Sequence, residues 1–177
     1  MDAIGLLKLS SHNFNKERKM AIKNFHTLIY IARLNNSAFK RLLKIGVTNN
    51  WEVRENNIKN VTMEYLSPYY SSRSYAMAIE LLAQVYAYVK VGRPDNFRSL
   101  PVKSGSSEFF NTENEKQALG FIYAAIKQGK RLENDIKAII EYALDYLRQK
   151  IGKIPSSYSM AVKRLTETID NEYGTTA

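Results

Sequence analysis

The chain has 177 residues, of which 45% are hydrophobic and 24% charged, a balance typical of a folded protein and unlike that of a disordered one. It contains no cysteine, which excludes disulfides and zinc–thiolate sites and favours a cytoplasmic location. The net charge is +9, and residues 1–60 carry eleven Lys and Arg against four Asp and Glu. Such a local positive field indicates either a nucleic-acid partner or a solvated surface that keeps the protein soluble.

The first part of the chain is predicted to form short strands after a basic N-terminal segment over residues 1–25. The stretches TLIYIARL and KRLLKIGVT are rich in β-branched and aromatic residues, and VTMEYLSPYY predicts a third strand. Between the second and third of these strands, NWEVRENNI predicts a short helix. The stretch SSRSYAMAIELLAQVYAYVKV then predicts a long helix with serine caps, closed by Gly92 and Pro94. Its apolar part is too short to span a membrane.

Helical patterns dominate the rest of the chain. Three helices are predicted, in TENEKQALGFIYAAIKQ, LENDIKAIIEYALDYLRQKI and SSYSMAVKRLTETIDNEY. The last carries one apolar stripe, made of Tyr158, Ala161, Val162, Leu165 and Ile169. We therefore expect an α+β fold, with a small antiparallel sheet flanked by helices over residues 26–112 and a helical C-terminal extension over 113–177. The extension could pack on the sheet domain, form a homo-oligomer or bind another partner, and the sequence leaves these uses open.

The first two strands predict a hairpin that brings polar side chains together. With a five-residue loop over 35–39, Tyr30 lies opposite Lys44, on one face of the sheet. Gly46 is next on that face and is expected to leave the site open. The opposite face is apolar and predicts the core, with Ile29, Ile31, Leu43, Ile45 and Val47. Arg54 falls in the first turns of the predicted helix that follows.

A phenol, an ammonium and a guanidinium in one place suit phosphate chemistry. A phenol can take or relay a proton from water when a nearby cation lowers its pKa, and a guanidinium can hold two phosphate oxygens. Glu80 is the candidate metal ligand, because it interrupts the most apolar helix among small neighbours that include Ala76, Ala83 and Ala87. One carboxylate, with water and substrate phosphate, is a usual way to bind Mg²⁺.

Five sequence features occur in an order that resembles a known family. LIY precedes LLKIGVT at residues 42–48, and Arg54, the helix AMAIELLAQVY and GSSEFFN at residues 105–111 follow. This order resembles the GIY-YIG nuclease superfamily, in particular its T5orf172 or MUG113-like branch of phage and bacterial proteins, over about residues 26–112. The resemblance implies a DNA endonuclease that depends on Mg²⁺ or Mn²⁺, in the cytoplasm of a bacterium or a phage-infected cell. Leu28 stands in place of the glycine of the first motif.

The resemblance also implies a role for each candidate residue. Tyr30 corresponds to a base or water-orienting tyrosine, and Lys44 stands where many members have a second tyrosine. Arg54 corresponds to the arginine that stabilises the transition state, and Glu80 to the metal-binding glutamate. Glu108 belongs to the GSSEFF motif, where a structural role is implied.

Basic residues around this group are candidates for contacts to the DNA backbone, which carry little sequence information. They are Lys16, Arg18, Lys19, Lys23, Arg33, Lys40 and Arg41. Two other functions are compatible with the sequence. One is a non-catalytic nucleic-acid-binding or regulatory protein on a degenerate nuclease scaffold, and the other is a protein-interaction module that acts through its C-terminal helices.

Overall fold

The computed structural model is an α+β protein, as the sequence predicted. It describes residues 27–34, 42–49, 61–67, 70, 72–95, 97–100, 102, 106–112 and 114–174. The strands within these residues are β1 (Leu28–Leu34), β2 (Leu43–Thr48), β3 (Val61–Leu66) and β4 (Phe109–Phe110). The helices are α1 (Arg73–Val91), α2 (Glu115–Arg131), α3 (Ile136–Ile151) and α4 (Ser156–Tyr173). Over the part of the chain described, no helix combines the length and apolar character that a membrane crossing requires.

The strands form one antiparallel sheet in the order β3-β1-β2-β4. In the β1–β2 hairpin, Tyr30 lies opposite Gly46, and Ala32 lies opposite Lys44. The predicted pairing of Tyr30 with Lys44 is therefore wrong by two residues. The predicted loop over 35–39 is also too short, because the pairing leaves residues 35–41 between the strands. A shift of two residues keeps every side chain on its predicted face and changes only its neighbours across the strands.

One face of the sheet packs against α1 and forms the main core. Four of its predicted residues are at most 1% exposed, and they are Ile29, Ile31, Leu43 and Ile45. The local signals that delimit α1 are those read from the sequence. The hydroxyl of Ser72 accepts the N–H of Tyr75 at 3.1 Å, and the helix ends at Gly92, whose φ of 73° favours glycine. The apolar face of the hairpin and the caps of α1 were thus predicted correctly.

The C-terminal helices pack on the same helix, α1, from its other sides. In α4 the predicted stripe is used for this contact. Tyr158 and Leu165 are 1% exposed, while Ala161, Val162 and Ile169 pack partly buried against the core. Of the uses that the sequence left open for this stripe, the structure shows packing within the chain.

Near its start, α4 is held on α1 by an aromatic side chain. The O–H of Tyr158 donates to the carbonyl oxygen of Gln84 at 3.1 Å, and the guanidinium of Arg93 lies 4.6 Å from the centroid of the Tyr158 ring. Burial raises the pKa of the Tyr158 phenol, so it stays a neutral donor at physiological pH.

Near its end, α4 caps the first turn of α1 with Glu172. The carboxylate accepts the backbone N–H of Arg73 at 2.6 Å and that of Ser74 at 3.1 Å and 3.2 Å, and the Ser74 hydroxyl also donates to it. These N–H groups have no partner inside a helix, so a carboxylate there is favourable. Burial opposes the charge of Glu172, but the hydrogen bonds from Ser74, Arg73 and Ser72 outweigh burial and lower its pKa.

The second face of the sheet is covered by the segment that follows α1. Two small clusters lie there, one around Leu28, Tyr30 and Ala32, and one around Leu34, Leu42, Leu100 and Phe109. The segment returns to the sheet as β4, which the sequence analysis did not predict as a strand. Because β4 places Phe109 opposite Lys44, strand β2 has a neighbour on each side at that residue.

Candidate functional site

Tyr30 lies on the second face and is fully buried, with 0% of its surface exposed. Its ring lies directly over Gly46. A methyl group added at that glycine would come within 2.5 Å of both Cζ and the hydroxyl oxygen of Tyr30. The expectation that Gly46 leaves the site open is therefore wrong, because the tyrosine ring fills the space that the missing side chain provides. Gly46 is needed for close packing at this point.

Lys44 shares this face and also has 0% exposure. Its ammonium forms an ion pair with the carboxylate of Glu108, and it lies 5.8 Å from the centroid of the Phe109 ring. The side chain of Glu108 is 22% exposed, so this residue connects the buried lysine with the surface. A fully buried ammonium is costly unless a carboxylate compensates it, which explains the direct contact. The KIG and GSSEFF motifs of the sequence thus meet in one ion pair.

Glu80 lies in the middle of α1, and its carboxylate is oriented by the next turn of the same helix. The side-chain amide of Gln84 donates to Oε1 of Glu80 at 3.1 Å and to the carbonyl oxygen of Ile45 at 2.9 Å. Gln84 therefore links the glutamate to strand β2 and fixes its position relative to the sheet. Gln84 was not among the residues predicted for the site. Its spacing of four residues on a helix was the signal for such a contact.

A cleft of about 70 Å³ brings Glu80 and Glu108 together. This volume is sufficient for a few water molecules or a hydrated ion. Its lining comes from α1, from the segment before β4 and from α4, and consists of Met77, Glu80, Leu81, Gln84, Glu108, Ala161, Arg164 and Leu165. Two of the small residues expected near Glu80, Ala83 and Ala87, lie in the core, and neither lines the cleft. The contribution of α4 to this cleft was not predicted from the sequence.

The oxygen donors of the cleft suit a hard divalent cation better than a soft one. Glu80 is the ligand that fits best, because Gln84 holds one of its oxygens in place, while Glu108 already faces the ammonium of Lys44. Among the described residues, no group of three or more His, Cys, Asp or Glu could hold a metal ion. An ion bound at Glu80 would therefore take most of its ligands from water, as Mg²⁺ commonly does.

Of the other predicted site residues, Arg33 is the one that lies within the described residues. Arg33 lies in β1, half-buried, between Leu43 of β2 and Thr62 of β3. The predicted catalytic Arg54 lies outside the described residues. The same is true of the predicted DNA-binding residues Lys16, Arg18, Lys19, Lys23, Lys40 and Arg41.

Three of the four predicted catalytic residues are within the described structure. Tyr30 and Lys44 share one buried face of the sheet, and Glu108 connects Lys44, through their ion pair, with Glu80, through the shared cleft. Comparison with protein-family models, with curated proteins and with solved structures returned no match.

Proposed function

We propose that this protein is a metal-dependent DNA endonuclease that hydrolyses phosphodiester bonds. The proposal starts from the GIY-YIG-like order of its motifs. The observation that carries it is the cleft in which Glu80 and Glu108 meet the guanidinium-bearing residue Arg164, beside the buried pair of Lys44 and Glu108. Carboxylates that can hold a cation next to groups that can hold phosphate are one arrangement that suits phosphodiester hydrolysis.

Glu80 would hold Mg²⁺ or Mn²⁺ in the cleft. The bound ion would act as a Lewis acid toward the phosphate and lower the pKa of water. Gln84 keeps the Glu80 carboxylate turned toward β2 through its own bond to Ile45, so the ligand is oriented before substrate arrives. Such preorganisation reduces the ordering that has to occur during binding.

The second face of the sheet is connected with the cleft through Lys44, which contacts the cleft residue Glu108. Lys44 holds the Glu108 carboxylate at the edge of the cleft, which is a positioning role. Tyr30 and Arg54 keep the roles that the family resemblance implies, water activation and stabilisation of the developing charge. Because Tyr30 has no exposed surface, substrate can contact its hydroxyl only after the residues that cover it move.

The decisive experiment is a plasmid-nicking assay in Mg²⁺ and in EDTA. We expect cleavage by the wild type in Mg²⁺ only, and a loss of at least about 100-fold in Glu80→Gln, which keeps the shape of the side chain but removes its charge. Arg54→Ala should lose activity in the same assay. Glu141→Gln is the matched control, because Glu141 is an exposed carboxylate on α3 outside the cleft lining. Equal activity of Glu80→Gln and Glu141→Gln would contradict the proposal.

The burial of Tyr30 and Lys44 favours a second candidate function, a non-catalytic nucleic-acid-binding protein on the same scaffold. Two proposed catalytic groups that no substrate touches in this conformation would be purely structural in such a protein. The nicking assay separates the two functions. Plasmid that is retarded in a gel but remains intact with every variant would favour the binding protein over the nuclease.

A further inference from the structure

One positively charged side chain in the lining of the cleft comes from a part of the chain that the family resemblance does not cover. The resemblance ends near residue 112, whereas Arg164 lies on α4 and lines the cleft with Glu80 and Glu108. We propose that Arg164 is a phosphate-binding residue of this cleft, which holds a phosphate of the DNA backbone beside Glu80. This inference rests on the proposed function and deepens it, because it makes the C-terminal extension part of the substrate site.

The packing of α4 fixes the place from which Arg164 reaches the cleft. Ala161 and Leu165 line the same cleft, and Leu165 is only 1% exposed because it inserts into the core beside α1. Arg164 is three residues after Ala161 and one before Leu165. It therefore lies at the edge of the apolar stripe of α4, at the edge that lines the cleft. Its backbone is thus held by the core while its side chain is exposed to solvent.

The guanidinium of Arg164 is not used for contacts inside the described structure. Among the described residues, its side chain makes no hydrogen bond and no ion pair, although two carboxylates line the same cleft. Each of those carboxylates has another donor: Gln84 for Glu80 and Lys44 for Glu108. An exposed guanidinium keeps its full set of five donors for a ligand, and the planar group matches the oxygens of a phosphate.

The net charge of the chain indicates which kind of anion Arg164 would bind. The protein carries a net charge of +9, concentrated in the first third of its sequence, so a polyanion would be attracted along the surface. The backbone of DNA supplies a phosphate at each nucleotide. Arg164, which lies beside the proposed metal ligand Glu80, would hold either the phosphate that is hydrolysed or the neighbouring one. Arg164 would then contribute to substrate binding independently of cleavage.

The test measures DNA binding without cleavage. The anisotropy of a fluorescein-labelled DNA duplex is titrated with the full-length protein in EDTA at a series of salt concentrations. The proteins compared are the wild type, Arg164→Gln, Arg164→Lys and Lys163→Gln. Lys163 is the matched control, because it is an exposed cation on the same helix that does not line the cleft. Thermal unfolding of each variant checks that the fold is intact.

We expect Arg164→Gln to weaken binding by about tenfold and to lower the slope of log affinity against log salt by about 1, as the loss of one phosphate contact predicts. Arg164→Lys should keep the slope and lose only part of the affinity, because it retains the charge without the planar fork. Lys163→Gln should change the affinity by less than about twofold. Equal effects of Arg164→Gln and Lys163→Gln, or a wild type that does not bind DNA, would overturn the inference.

The nicking assay, run on the same variants, separates this inference from the proposed function. Magnesium-dependent cleavage with no special effect of Arg164→Gln on binding would leave the nuclease intact and reject Arg164 as a phosphate contact. A clear effect of Arg164→Gln on binding without any cleavage would reject the nuclease and keep the contact.

Discussion

Both faces of the β1–β2 hairpin are largely buried, but by different means. The face toward α1 is apolar, and its residues, such as Ile31 and Ile45, meet the apolar side of a long helix. The opposite face carries a phenol and an ammonium, Tyr30 and Lys44, each without exposed surface. On the first face, burial removes apolar area from water. On the second, each buried polar group has to be compensated by a specific contact.

The two faces also differ in how far stability alone accounts for their residues. A buried ion pair seldom stabilises a protein more than apolar residues of the same size would, because desolvation cancels most of the attraction. The lysine at position 44 is therefore poorly explained by stability alone. Its ion pair with Glu108 offers a better explanation, because this contact positions the Glu108 carboxylate at the cleft that Glu80 also lines. The apolar face builds the fold, and the polar face places a carboxylate.

The largest expected effect comes from removing the partner of the buried charge. Glu108→Ala should lower the free energy of unfolding by about 3–5 kcal/mol, because it leaves a fully buried ammonium without this carboxylate. Lys44→Met should cost less than about 2 kcal/mol, because the remaining Glu108 is 22% exposed and can be hydrated. Urea unfolding of both variants measures the asymmetry. Equal losses would contradict the view that the fully buried ammonium costs more to leave unpaired than the partly exposed carboxylate.

A smaller effect is expected where Tyr30 packs over the glycine. Gly46→Ala should cost about 1–3 kcal/mol, because the new methyl group would lie 2.5 Å from the tyrosine ring. In a Tyr30→Leu background the same substitution should cost less than about 1 kcal/mol, since the ring is gone. A double-mutant cycle by urea unfolding measures this coupling. Additive effects would mean that the ring does not require the glycine.

The smallest expected effect concerns the exposed polar contact at the start of α1. Because the pKa of Glu172 is lowered in the folded state, its contribution is present above its usual pKa of 4.5 and is lost as the pH falls through the lowered value. Glu172→Gln should therefore lower the melting temperature slightly at pH 7, and the difference from the wild type should shrink below about pH 4. Thermal melts across this pH range test it. A difference that stays constant with pH would assign the effect to the amide rather than to the charge.

Much of the fold could be predicted because it depends on local patterns. Alternation along β1 and β2 fixed which side chains face the core, and Ser72 and Gly92 marked the limits of α1. The register failed because it was derived from an assumed loop length, and nothing local distinguishes a five-residue loop from a longer one. Strand β4 was missed because two residues, Phe109 and Phe110, carry no period.

The site could be predicted only in part, because its contacts join residues that are distant in sequence. The pairing of Lys44 with Glu108 spans more than sixty residues, and the motifs that contain them gave no indication that they touch. Arg164 also meets residues that are distant in sequence. The sequence of its helix predicted an apolar stripe, but it did not predict that the helix would line a cleft with Glu80 and Glu108. Periodicity predicts which face of a helix is buried, and it does not say against what.

The central position of α1 has a consequence for how the protein is made. The strands β1 to β3 precede this helix in the chain, but the three helices that cover its other sides follow it. On the ribosome, the apolar stretch AMAIELLAQVYAYV is therefore complete well before α2, α3 and α4 exist to shield it. A nascent chain that ends before Glu115 would therefore leave the sides of this stretch that α2, α3 and α4 later cover exposed, and we expect such a chain to be prone to aggregation.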